Sequence, residues 1–165
     1  MIFWVLLLVS SVTIAQDKIK WMTMEQAQAA TKVKPKKIII DAYTDWCGWC
    51  KKMDATTFVD KKVVEYINSN YYAVKFNAEQ KEPIVFNGKT YNFVPNGARG
   101  YHELANLLLQ GKFSYPTTIY LDEKLNLLTP VPGFLEPAQL NPILHYFGSG
   151  SYLTMDFAAY QKTYK

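Results

Sequence analysis

The stretch KIIIDAYTDWCGWC, residues 37–50, constrains the fold of this chain more than any other. Ile38, Ile39 and Ile40 form a β-branched run bounded by Pro35 and two lysines. An unbroken apolar run of this length reads as a strand covered on both faces, not as an alternating, half-exposed one. The only two cysteines follow it, Cys47 and Cys50, separated by Gly48 and Trp49. Cys47 then stands where the strand ends and a helix, CKKMDATTF, begins. Unpaired backbone N–H groups at a helix start stabilise a thiolate, which makes Cys47 the nucleophile. Cys50 lies one turn on, placed to attack a mixed disulfide formed at Cys47. Trp46 and Trp49 frame the pair with apolar surface.

Rival chemistries fit this spacing less well. A zinc site needs four ligands, and the only histidines, His102 and His145, are distant in sequence and read as surface or core-edge residues. Residue 51 is lysine, so the haem-attachment pattern fails. A purely structural disulfide across two residues closes a very small loop and stabilises little. Redox exchange is the favoured reading, with metal binding and an inert disulfide as the alternatives.

Around this motif the pattern alternates between strand and helix. KIKWMTMEQAQAATKVK predicts a helix with a capping box at Thr23 and Gln26, ended by Pro35. A helix over KKVVEYINSN, capped by Asp60, leads to a second strand, YYAVKFNAE. A detour over residues 82–99 carries a hairpin signal, Asn87-Gly88. YHELANLLLQG predicts a helix with Tyr101, Leu104, Leu107 and Leu108 on one stripe. Two strands then turn through Glu123 and Lys124. The last main helix, EPAQLNPILHYF, places Leu140, Ile143, Leu144 and Phe147 together, with Pro142 calling for a kink or a later start. A short helical extension covers residues 151–165. The result is an α/β fold: a central mixed sheet, first two strands parallel and last two antiparallel, with helices on both faces.

Composition narrows the class. A chain of 165 residues, 49 % apolar, supports one domain with a genuine core. Its net charge of +4 comes from lysines scattered among acids, unlike the dense basic stripe of a nucleic-acid binder. Residues 1–15, MIFWVLLLVSSVTIA, read as a signal peptide cleaved after Ala15, leaving the domain at 16–165. The apolar run is shorter than the roughly 20 residues that span a bilayer. No Lys or Arg precedes it, so an uncleaved N-terminal tether is the competing reading. Either way the expectation is an exported, periplasmic protein, where a disulfide persists.

IIIDAYTDWCGWCK resembles the active-site segment of the thioredoxin superfamily, and three later segments extend the likeness. AVKFNAEQ is similar to the family's second strand, YPTTIYLD to its proline segment and VPGF to its final glycine turn. The resemblance spans about residues 36–147. It is nearest to exported bacterial thioredoxin-like proteins and to the C-terminal domain of the periplasmic transmembrane thiol–disulfide interchange carrier. Departures are Trp49 in place of the usual proline, Tyr43 in place of a tryptophan, and the longer detour.

The resemblance implies a thioredoxin-like fold with an inserted hairpin region and a C-terminal helix. It implies that Asp41 is a buried acid of raised pKa that takes the proton from Cys50, and that Lys75 tunes it by charge, with a plain exposed strand lysine as the alternative for Lys75. Asp41 as a plain strand-end cap is the alternative. Pro116 is expected to follow a cis bond that turns its backbone edge toward Cys47. Trp46, Trp49, Tyr115 and Pro116 are the expected substrate-binding residues, and no metal is expected. The implied function is thiol–disulfide exchange, as a reductase of protein disulfides, with an adaptor module, an oxidase or an isomerase as alternatives. Disulfide-containing client proteins would be the substrates and a membrane-embedded thiol reductant the electron donor. No nucleotide-binding motif occurs, so no cofactor is expected, and no nucleic acid.

Overall fold

The isoleucine run becomes the middle strand of a five-stranded sheet in the computed structural model, which describes residues 17–164. The chain runs through β1 (Trp21–Met22), α1 (Met24–Val33), β2 (Lys37–Tyr43), α2 (Gly48–Thr56) and α3 (Lys61–Asn70). It continues through β3 (Tyr71–Asn77), β4 (Ile84–Phe86), β5 (Lys89–Tyr91), β6 (Phe93–Val94) and β7 (Tyr101–His102). After α4 (Glu103–Leu108) come β8 (Thr117–Leu121), β9 (Leu127–Pro132), α5 (Pro137–Gly148) and α6 (Phe157–Thr163). The signal-peptide segment, residues 1–15, lies outside the described residues. Among those described, no helix is long and apolar enough to cross a membrane.

The sheet order is β1-β3-β2-β8-β9. β2 runs parallel to β3, from Lys37 opposite Tyr71 to Tyr43 opposite Asn77, and antiparallel to β8. Successive side chains of β2 serve two separate cores, which explains why its sequence does not alternate with polar residues. Ile38, Ile40 and Ala42 pack with Val74, Phe76 and Ile119 under α1 and α4. Ile39 faces the other way, with Met53 of α2, Val63 and Ile67 of α3, and Leu140 and Leu144 of α5. Asp41 is two residues beyond Ile39 and shares that second face. Because Ile39 is completely buried, Ile39→Ala should cost about 2–5 kcal/mol. A urea unfolding curve with a lower midpoint and unchanged slope would report it.

Local signals explain most elements. Thr23 and Gln26 form the capping box of α1, with Gln26 N–H donating to Thr23 Oγ1 at 3.2 Å and Thr23 N–H to Gln26 Oε1 at 2.9 Å. Asn87 and Gly88, at φ of 49° and 78°, turn β4 into β5 as the left-handed residues of a two-residue hairpin require.

Several expectations shift. The first helix starts where its capping box at Thr23 places it, but the residues before it are not helical, and Trp21–Met22 pairs with β3 as an edge strand. Tyr101 belongs to β7, paired with β6, so the helical stripe that was to contain it begins later. His102 is the reason: its Nδ1 accepts the Leu104 N–H at 3.2 Å and caps α4. The histidine is therefore fully buried, not at the surface, and Leu107 is left exposed while Leu104, Ala105 and Leu108 face the core. α5 does not start late, because Pro137 opens it and the helix continues through Pro142.

β9 ends the sheet with Pro130 and Pro132, paired with Ile119 and Thr117. Gly133, just beyond, donates its N–H inward to Pro116 O at 2.8 Å. Alternate amides of an extended strand point to opposite sides, so the nitrogens of Pro130 and Pro132 face outward.

Candidate active site

Tyr43 closes β2, and the chain turns through Thr44, whose carbonyl accepts the Cys47 N–H at 3.1 Å. That turn delivers Cys47 to the N-cap of α2, where its Sγ accepts the Cys50 N–H at 3.1 Å. The first sulfur thus sits on a free helix N–H, the arrangement that favours negative charge on it once reduced. Cys47 and Cys50 are joined as a disulfide. Their burial is unequal: Cys47 is 5 % exposed and Cys50 1 %. A Cβ at Gly48 would meet nothing within 4 Å, so the motif is open on that side.

Below α2 lies a charged triad. Asp41 stands opposite Lys75 of β3 and opposite Thr118 of β8. Lys75 Nζ donates to Asp41 Oδ2 at 2.5 Å and also to Asp54 Oδ1. Asp54 is four residues beyond Cys50 on α2, so the two share a helix face. One ammonium therefore ties the buried acid of the sheet to the helix that carries Cys50. Its other neighbours are aromatic rings, Tyr43 at 4.9 Å, Trp21 at 5.2 Å and Phe58 at 5.6 Å.

Asp41 is 1 % exposed, and its Oδ1 has no hydrogen-bond partner among the described residues. Burial raises its pKa to about 6, against the pull of Lys75 and with a small push from the Asp54 charge. The Asp41–Lys75 contact acts on Lys75 with the opposite sign, raising its pKa where it lowers that of Asp41. Burial disfavours the Lys75 charge, but the two carboxylates more than offset this, and its pKa rises. The result is a carboxyl group that changes protonation near neutrality inside the molecule, close to the helix of the disulfide.

The rim of the site is aromatic on both sides. Trp46 is 51 % exposed and donates its Nε1–H to both oxygens of Glu79, at 3.0 and 3.1 Å. The Arg99 guanidinium lies over its ring, 4.4 Å from the centroid, and Tyr115 meets it edge-on at 6.0 Å. These groups, with Tyr101 and Phe113, line a pocket of about 280 Å³. Burial, and then the Glu79 charge, push the Tyr115 hydroxyl up to about 12, so it stays protonated. The Tyr115–Pro116 peptide bond is cis. On the other side Trp49 is 57 % exposed, tilts against Phe134 at 5.4 Å, and carries Lys52 Nζ 4.8 Å from its centroid.

The structure thus brings Asp41 to Lys75, and Trp46 to Tyr115, while Trp49 stands on a separate cluster. His145 is remote from all of them, stacked on Tyr66 at 3.6 Å. Sequence reasoning missed Asp54, Glu79, Arg99 and Phe134. For Asp54 the only available signal was its helical spacing from Cys50. For Glu79 and Arg99, placed 33 and 53 residues after Trp46, there was none.

A family description, the thioredoxin-like domain, matches residues 24–148. The thiol:disulfide interchange protein DsbD of Pseudoalteromonas atlantica is 35 % identical over 48 residues, which cover 29 % of this chain and 8 % of that protein. The chain therefore matches less than a tenth of the length of that relative. A thioredoxin-fold protein from Helicobacter pylori superposes with a TM-score of 0.62 at 19 % identity, covering 78 % of this chain and 84 % of the other. The C-terminal domain of Neisseria meningitidis DsbD, in its reduced form, gives 0.50 at 19 % identity, covering 73 % and 90 %. At these identities the superpositions speak for the fold. The match across most of its length identifies the chain as a member of the thioredoxin-like domain family, with its disulfide, Cys47–Cys50, at the head of α2.

Proposed function

We propose that this protein is an exported thiol–disulfide oxidoreductase that reduces disulfides of client proteins. The observation that carries the reading is the unequal pair: Cys47 caps α2, its Sγ accepting a helix N–H, while Cys50 lies within the first turn and is slightly more buried. In the reduced protein the Cys47 thiolate attacks one sulfur of a client disulfide. The client S–S bond breaks, a Cys47–client S–S bond forms, and the second client sulfur leaves as a thiolate and takes up a proton. Cys50 then passes its proton to Asp41 and attacks Cys47 Sγ. The Cys47–Cys50 bond forms and the remaining client sulfur leaves as a thiolate. Two electrons have moved from the protein dithiol to the client disulfide, and a second dithiol must return them.

Reduction is favoured over oxidation because the residues between the cysteines, Gly48 and Trp49, add no positive charge to hold a thiolate strongly. The DsbD relative, named for thiol:disulfide interchange, supports a place in a relay of protein thiols. Its electron donor would be a membrane-embedded thiol reductant, and residues 1–15 would direct export. Equilibration of the pair against glutathione tests the direction. A potential near about −270 mV is expected, whereas one near about −120 mV would make the protein an oxidant. Insulin reduction with a dithiol donor tests turnover itself, and a disulfide that never cycles there would leave only an adaptor role.

A further inference from the structure

Two tryptophans border the disulfide, both more than half exposed, and each carries a cation on its face. Arg99 covers Trp46 at 4.4 Å, and Lys52 covers Trp49 at 4.8 Å and Phe134 at 5.1 Å. Large exposed aromatics held in place are the side chains that anchor interfaces. The nearby acids are held by other groups: Glu79 accepts from the Trp46 indole, Asp45 from Asn77 Nδ2 at 3.1 Å, and Asp54 from Lys75. Glu79 and Asp45 keep their charges, so what marks this rim, among the described residues, is two cations without an ion-pair partner, not an excess of positive charge. Among the described residues, neither Arg99 nor Lys52 has a carboxylate within 4 Å. Lys51, exposed on the first turn of α2, adds a third positive group.

We infer that these two cation-capped tryptophans form a recognition frame for an acidic client segment, a polypeptide with carboxylates on both sides of the cysteine that Cys47 engages. The inference rests on the reductase reading and names its substrate class. A guanidinium held 4.4 Å from an indole centroid is pre-positioned and weakly hydrated, and offers paired N–H donors to a carboxylate. Lys52 meets the opposite flank as a point charge. The aromatic wall of the neighbouring pocket, Trp46, Tyr101, Phe113 and Tyr115, takes an apolar side chain of the same segment, with Glu79 and Arg99 on its rim. Arg99 is the last residue of the 82–99 detour, so this long excursion supplies half of the frame. Rim charges of this kind govern association rate and choice of partner more than total affinity.

Three disulfide-linked peptides test it, alike except for glutamate, glutamine or lysine flanking the cysteine. Reduction by the full chain with a dithiol donor gives kcat/KM, and tryptophan fluorescence with cysteine-free versions gives binding to the oxidised protein. At low salt the glutamate peptide should be favoured over the lysine peptide about tenfold or more in both readouts, and the gap should narrow as salt screens it. In the Arg99→Glu/Lys52→Glu double variant the order should invert. The ratio is the readout, so a loss common to all peptides cancels. Equal binding of glutamate and lysine peptides overturns the frame, whatever the turnover. Charge-selective binding without reduction of any peptide keeps the frame and removes the reductase reading instead.

Discussion

Cys47→Ser should abolish disulfide reduction, lowering kcat/KM by about a thousandfold or more, while Cys50→Ser should capture clients as stable mixed disulfides. The asymmetry follows from the head of α2. Only the first sulfur rests on a helix N–H, and Cys47 is slightly less buried than Cys50. Serine at 47 offers a hydroxyl whose proton is held far more tightly, so no nucleophile remains at the position where a client can arrive. Serine at 50 leaves that nucleophile intact but removes the atom that would release the client. Iodoacetamide labelling of the reduced wild type checks the same point without a client, since Cys47 should react much faster. Equal labelling of the two, or activity surviving in Cys47→Ser, would contradict the assignment.

Asp41→Asn should make the protein more stable and less active at once. Burial favours the neutral carboxyl, so the folded chain holds this proton up to about pH 6, whereas the unfolded chain releases it near the ordinary 3.8. Between those values the folded state binds the extra proton, and stability falls as pH rises. The loss is complete above the folded pKa and corresponds to about 3 kcal/mol. An asparagine carries no charge to bury, and Asp54 still pairs Lys75. The variant should therefore gain stability of that order at pH 8, gain little at pH 4, and show a flatter profile between. Urea unfolding at a series of pH values measures this. In the proposed mechanism the same substitution removes the proton acceptor for Cys50, so client release in single turnover should slow by about a hundredfold. A wild-type stability that did not fall between pH 4 and 7 would show that Asp41 is ionised in the folded protein throughout.

Much of the scaffold is legible from neighbouring residues alone. Ile38–Ile40 announces a doubly covered strand, Asn87-Gly88 a hairpin, Thr23 and Gln26 a helix start, and Cys47 the start of α2. What escapes is whatever depends on partners far along the chain. Trp21–Met22 extends only because β3 offers it an edge. His102 is buried because it caps α4 while Phe76 packs against its ring at 5.7 Å. Asp54 looks like one more surface acid on α2 until β3 brings Lys75 beneath it. Arg99 looks like a loop arginine until the detour folds back over Trp46. Local pattern reports what a segment can form, whereas the electrostatics of this site arise where segments meet.

The outward-facing nitrogens of Pro130 and Pro132 carry one more consequence. A sheet normally recruits further strands through the free N–H groups along its border, and here two of those donors are missing in alternate positions. The opposite border, β1, is two residues long. A visiting polypeptide therefore finds little ladder to climb on either of these two borders. The same two prolines keep concentrated molecules from zipping together into fibre seeds.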